Sequence, residues 1–196
     1  MVATKTQMSL EDFLSFDDGT DTLYELENGE LITMAPESEL NQRIASFLFA
    51  YFLQAGISFE CLRMKTELAV SGSRATVRVP DLMVLSDELV AALEGATRAT
   101  VMLEMPPPRL VVEVVSPGKK NSDRDYRYKK SQYEARGIQE YWIVDPIAQK
   151  VTVFNLVEGL YEATVFEGSA AIESALLSAL KSKEFLSAAQ VLGARK

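Results

Sequence analysis

The chain has 196 residues, 47% hydrophobic and 24% charged, with 20 basic against 28 acidic side chains for a net charge of −8, no histidine and one cysteine. That balance suits one compact soluble domain, and the missing histidine excludes a Ser-His-Asp triad, a Cys-His pair, a histidine-based nuclease and a His-rich zinc site, leaving acid–base work to Asp, Glu, Lys or Tyr. Cys61 alone cannot form an internal disulfide or a thiolate cluster and reads as a small buried hydrophobe, the cytoplasm being the expected compartment, while no run approaches the roughly 18 apolar residues of a membrane span and MVATKTQMS lacks a signal-peptide core.

In chain order, Ser9 and Asp12 stand at capping-box spacing and predict a short helix through Phe16. TLYELENGELITM places Asn28-Gly29 between two strand-like arms, a hairpin in which Glu27 faces Glu30 and Glu25 faces Ile32. Like charges directly opposite are unfavourable unless solvent or a cation intervenes. Solvent is the simpler reading, with Glu25 and Glu30 kept as candidate accessory acids. Leu40, Ile44, Leu48 and Tyr51 predict a core helix over 39–54, stopped by Gly56. Strands are expected over 59–70, 77–85 and 110–115, with Ser86 capping a helix to Leu93 and an irregular arm running to Pro106-Pro107-Pro108. A helix over 123–136 ends at Gly137, a strand over 140–145 stops at Pro146, and VTVFNL with YEATVF forms a hairpin around Gly159. The tail over 170–191 is helical by propensity. This order is that of an α/β domain with a mixed central sheet flanked by helices.

Charge is unevenly spread: seven basic residues against three acids give 119–136 a net +4 and leave −12 on the rest. Such a segment is either a phosphate-facing site or a solvated helix face. Within RLVVEVVSPG, Glu113 is the only acid of an aliphatic strand and shares a face with Val111 and Val115, so it must be salt-bridged, protonated or metal-bound. Asp81 in VRVPDLMVL follows Pro80, whose missing N–H interrupts the ladder and bends the strand. Two carboxylates of this kind suit a hard divalent cation such as Mg²⁺, which takes oxygen ligands and leaves positions to water and phosphate. On the 123–136 helix, Tyr126 and Tyr133 are seven residues apart and form a stripe expected to face the sheet. Lys129 and Lys130 flank the stripe, and periodicity does not choose which points at the carboxylates.

Pro80-Asp81 followed by a strand carrying Glu113 resembles the PD-(D/E)XK nuclease superfamily, except that Val115 stands where its lysine would be. VVEVVSPG and then DRDYRYKKSQYEARGIQEYWIVDP resemble the Uma-two family of predicted restriction-endonuclease-like proteins, in which the lysine has migrated to the following helix. Lys129 and Tyr133 fit its K-x-x-x-Y spacing; Lys130 does not. The hairpin also fits, so the resemblance spans about residues 9–166, although Leu40 precedes Asn41 where a histidine is expected. It implies a restriction-endonuclease-like fold with an N-terminal hairpin, a core over 39–166 between a 1–38 arm and a 167–196 tail, and extended or irregular structure in that tail. It further implies a metal-dependent endonuclease acting on nucleic acid, DNA before RNA. Asp81, Glu113 and the Val114 carbonyl would hold Mg²⁺ or Mn²⁺, and Lys129 would orient or help deprotonate the attacking water. Lys119, Lys120, Arg124 and Arg127 would contact phosphates, and a homodimer would pair two sites. The alternatives are a catalytically inactive nucleic-acid-binding or protein-interaction module on the same fold, and a merely structural Glu113–Lys129 ion pair.

Overall fold

The computed structural model describes residues 7–118, 123–180 and 185–193. Helix α1 (Leu10–Ser15) begins at Ser9 through the expected capping box, the Ser9 hydroxyl accepting from Asp12 N and the Asp12 carboxylate from Ser9 N. The hairpin of β1 (Tyr24–Glu27) and β2 (Glu30–Thr33) has the anticipated register, Glu25 opposite Ile32 and Glu27 opposite Glu30. Asn28 and Gly29 both take positive φ, as a tight two-residue turn requires. Helix α2 (Glu39–Gln54) is capped by Ser38 and buries Asn41, Ile44, Ala45, Leu48 and Phe52, leaving Leu40 and Tyr51 half-buried at the edge of the stripe.

The mixed α/β character and flanking helices are as expected, but the strands divide between two sheets. The smaller runs β2-β1-β5-β4-β7 and the larger, central one β11-β10-β9-β8-β6-β3. The strands anticipated over 59–70 and 77–85 are each cut in two, because each crosses from one sheet to the other. The first becomes β3 (Leu62–Arg63) after a 3-10 turn at Phe59–Cys61, then β4 (Glu67–Val70); the second becomes β5 (Thr76–Arg78), then β6 (Leu82–Val84). Helix α3 (Asp87–Ala92) starts on Ser86 and ends at Leu93, and the irregular arm carries one short strand, β7 (Thr100–Val101), parallel to β4.

Strand β8 (Leu110–Val114) is buried along its whole length beside parallel β9 (Glu140–Asp145), which continues through β10 (Lys150–Val157) into β11 (Leu160–Glu167). Alternation splits β8 between two cores. Val112 and Val114 pack with Ile44, Leu48 and Phe52 of α2, while Val111 and Val115 join Leu68, Tyr133 and Tyr141 on the other face. The helix between β8 and β9 is already helical at Asp123, winds as a π-helical segment over Arg124–Lys129, and continues as α4 (Lys130–Ala135) to positive-φ Gly137. The tail departs from its helical propensity: among its described residues only α5 (Ala175–Ser178) and α6 (Ala188–Gly193) are helical, and Ala171 pairs with Ser187 in an isolated bridge. Among the described residues, no helix is long and apolar enough to cross a membrane.

Candidate active site at the seam between the sheets

The crossing between sheets builds the site. Leu62 opposes Val84 in the larger sheet and Leu68 opposes Arg78 in the smaller. These are one register continued through the gap, which sets Lys65 across from Asp81. Pro80 supplies no donor in this gap, so Asp81 turns out of the ladder and its Oδ2 accepts from Val114 N at 2.6 Å. Lys65 Nζ donates to Asp81 Oδ1 and, at 2.7 Å, to Glu37 Oε1. Asn41 Nδ2, from the first turn of α2, donates to the Val114 carbonyl at 3.2 Å and to Ser116 Oγ at 3.3 Å.

One position along β8, Glu113 points to the opposite face and is 4% exposed. Its Oε1 accepts from Tyr133 OH at 2.6 Å and lies 2.8 Å from Lys129 Nζ. Lys129 also lies 3.4 Å from Glu25 Oε1 and 3.7 Å from Asp125 Oδ1. The π segment explains this convergence. In a pure α-helix, residues 125, 129 and 133 would drift steadily around the axis; the wider i→i+5 winding of Arg124–Lys129 reverses that drift, and all three are buried on one side. It also displaces the expected tyrosine stripe. Tyr133 is fully buried, but Tyr126 is half-buried at the margin, its hydroxyl 3.5 Å from Asp145 and its ring under Lys150.

Glu25 corrects the solvent reading. It is 3% exposed, accepts from Arg78 at 3.0 Å and from Val79 N at 3.2 Å, and faces Lys129. Arg78, wholly buried in β5, also reaches Glu27 at 3.3 Å and Gln132 at 2.9 Å. Glu30 is exposed on the outer arm of the hairpin, opposite Glu27.

Burial pushes Glu113 up to about 7 despite Lys129 beside it, and raises Asp125 as well. Burial acts on Glu25 in the same direction, but Lys129, Arg78 and Arg124 outweigh it and hold that carboxyl at about 2. For Lys129, burial disfavours the ammonium, yet Glu113, Glu25 and Asp125 together prevail and raise its pKa. One lysine shared by three carboxylates stays charged and satisfies none of them fully. Asp125 Oδ1 is buried with no hydrogen bond.

The resulting cleft, about 350 Å³, is lined by Glu25, Lys65, Asp81, Glu113, Arg124 and Lys129. Asp81, Glu113, Val114 and Lys129 are thus together, and Arg124 is at the rim. Arg127 is not: it is exposed beside the Tyr128 ring, in a hollow shared with Asn28 and Gly72. Lys119 and Lys120 lie outside the described residues. Lys130 turns away to Glu134 and the rings of Phe154 and Tyr161. A wider hollow of about 590 Å³ adjoins Cys61, whose thiol is pushed up by burial and so away from nucleophilic use. Sequence reasoning missed Lys65, Glu37, Arg78 and the inward role of Asp125. A signal existed for Asp125, which stands four residues before Lys129, and for Arg78, the lone base in an apolar strand.

The Uma2 family model, described as "Putative restriction endonuclease", matches residues 10–187. The crystal structure of a "putative nuclease belonging to DUF820" from Anabaena variabilis ATCC 29413 matches with a TM-score of 0.68 at 16% identity, over 95% of this chain and 98% of that one, a likeness of fold. No curated protein matches the chain.

Proposed function

Because the chain belongs to the Uma2 family of restriction-endonuclease-like proteins, we propose that the seam cleft hydrolyses phosphodiester bonds of nucleic acid, DNA before RNA, with a divalent cation. The observation that carries this reading is the meeting of Asp81, Glu113 and Lys129 in one cleft, Lys129 at 2.8 Å from Glu113 and Asp81 tied to the next residue of the same strand.

Mg²⁺ or Mn²⁺ fits the residues present. Asp81, Glu113 and the Val114 carbonyl are hard oxygen donors, and Asp125 Oδ1 nearby lacks a hydrogen-bond donor. Among the described residues no three acidic side chains group closely enough to hold a cation by themselves, so two carboxylates and a carbonyl would hold it, with room for water and phosphate. When bound, the cation polarises the phosphodiester and offsets the charge that develops in the transition state. Lys129, held as an ammonium by its three carboxylates, serves as a hydrogen-bond donor and not as a base; its part is to orient the attacking water and stabilise the charge that develops on the phosphate. Tyr133 fixes the Glu113 carboxylate, and Asn41 fixes the Val114 carbonyl. Arg124 at the rim positions the phosphate backbone without reading bases.

The test is cleavage of supercoiled DNA with Mg²⁺ or Mn²⁺ by wild type and by Asp81→Ala and Glu113→Ala proteins whose circular dichroism is unchanged. A lost metal contact is worth several kcal/mol, so each variant is expected to fall by about a thousandfold. Cleavage by either at the wild-type rate overturns the assignment, and a folded wild type without metal-dependent turnover supports the binding module instead.

A further inference from the structure

Asp81, the acid assigned here to the cation, already holds one. Lys65 Nζ sits on its Oδ1, and the same ammonium is held at 2.7 Å by Glu37 on the other side. The side chains of Lys65 and Glu37 are about a quarter exposed and line the cleft, whereas that of Asp81 is 9% exposed. The backbone is arranged for this contact. Lys65 adopts φ of 52°, a left-handed conformation unfavourable for a lysine, at the point where the chain passes between the sheets directly opposite Asp81. A lysine that served only as a surface charge would need neither the strained backbone nor the second carboxylate.

Resting on the metal-dependent reading above, we propose that Lys65 is the resident counter-ion of Asp81, which the divalent cation displaces and which, tethered by Glu37, then takes a phosphate of the substrate. Both oxygens of Asp81 are already bonded, Oδ1 to the Lys65 ammonium and Oδ2 to Val114 N, and a divalent cation on Oδ1 would meet that ammonium at contact distance, so metal entry at Asp81 requires the ammonium to leave. Glu37 keeps it in the cleft, where the next anion to arrive is the nucleic-acid backbone. Lys65 therefore sets a threshold for metal occupancy in the free protein, and substrate lowers that threshold by receiving the displaced charge; the coupling is reciprocal by linkage.

The first measurement is calorimetric titration of Mn²⁺ alone into the full chain, as wild type, Lys65→Met and Lys65→Arg, each checked by thermal unfolding. Removing the competing charge is expected to tighten Mn²⁺ binding by about tenfold or more, while Lys65→Arg stays within about threefold of wild type. Lys65→Gln carries the same expectation as Lys65→Met if the latter does not fold. Binding by the Met variant alone supports the exchange. Binding by wild type with no gain in the Met variant overturns it and leaves the metal centre standing, and no binding by any of them overturns both. At saturating Mn²⁺, KM of Lys65→Met for supercoiled DNA is expected to rise by about tenfold with kcat within about threefold; an unchanged KM overturns the transfer to phosphate.

Discussion

Glu25 is a buried carboxylate whose charge survives because Arg78 and Lys129 flank it. Its folded pKa, about 2, is below its ordinary 4.5, so its contribution to stability is complete above about pH 4.5 and is lost as pH falls toward 2. That difference amounts to about 3 kcal/mol. Urea unfolding of Glu25→Gln is therefore expected to show a deficit of this order at pH 6–7 that shrinks as pH falls below 4.5 and vanishes only near pH 2; a deficit constant across that range would deny the pairing. Glu113 was legible because an acid in an aliphatic strand demands a partner. Glu25 was not, because its alternation fits a solvated face equally well and its fate is set by Arg78, a residue 53 positions away. The partner carried a signal, as the lone base of TVRVPDLMV, that went unread. Lys65 left no mark, since its role comes from the register of two strand pairs that local sequence does not specify.

At the scale of elements, local chemistry placed α1, the first hairpin, α2, α3 and the β10–β11 hairpin, each bounded by a cap, a glycine or a turn. Two features escaped it. The strands beginning near residues 62 and 76 are each broken in space, and the sequence marks the breaks only by the polar run Lys65-Thr66-Glu67 in the first and by Pro80 in the second. The tail is rich in helix formers, yet tertiary contacts win. Buried Glu140, 2% exposed, accepts from Ser174 Oγ, Trp142 Nε1 and Leu176 N, pinning the start of α5 to β9. Ser174 also caps α5 through Leu177 N. Ser174→Ala thus removes a cap worth about 1 kcal/mol and leaves a buried carboxylate one donor short, costing a further 1.5–3 kcal/mol or so. The expected loss in denaturant unfolding is about 3 kcal/mol; a loss under about 0.5 kcal/mol would mean that the tail is not anchored through Glu140.

The whole molecule places its candidate site where neither sheet is complete without the other. Glu25 and Arg78 come from the smaller sheet, Glu113 from the larger, Lys65 and Asp81 from the crossings, and Asp125 and Lys129 from the helix laid over the seam. Among the described residues that line or contact the cleft, five carboxylates, Glu25, Glu37, Asp81, Glu113 and Asp125, face four cations, Lys65, Arg78, Arg124 and Lys129. The deficit of positive charge lies in a chain that is already net −8. A divalent cation held across this seam would bind the folded chain and not the unfolded one, so it must stabilise by mass action. At a concentration one hundred times its Kd the gain is about 2.7 kcal/mol, which in a domain of this size corresponds to a rise in Tm of roughly 5–10 °C. Mn²⁺ is expected to produce that rise in wild type and not in Asp81→Asn, which keeps the shape of the side chain but loses the charge. An equal rise in both would place the cation elsewhere on the acidic surface, away from the seam.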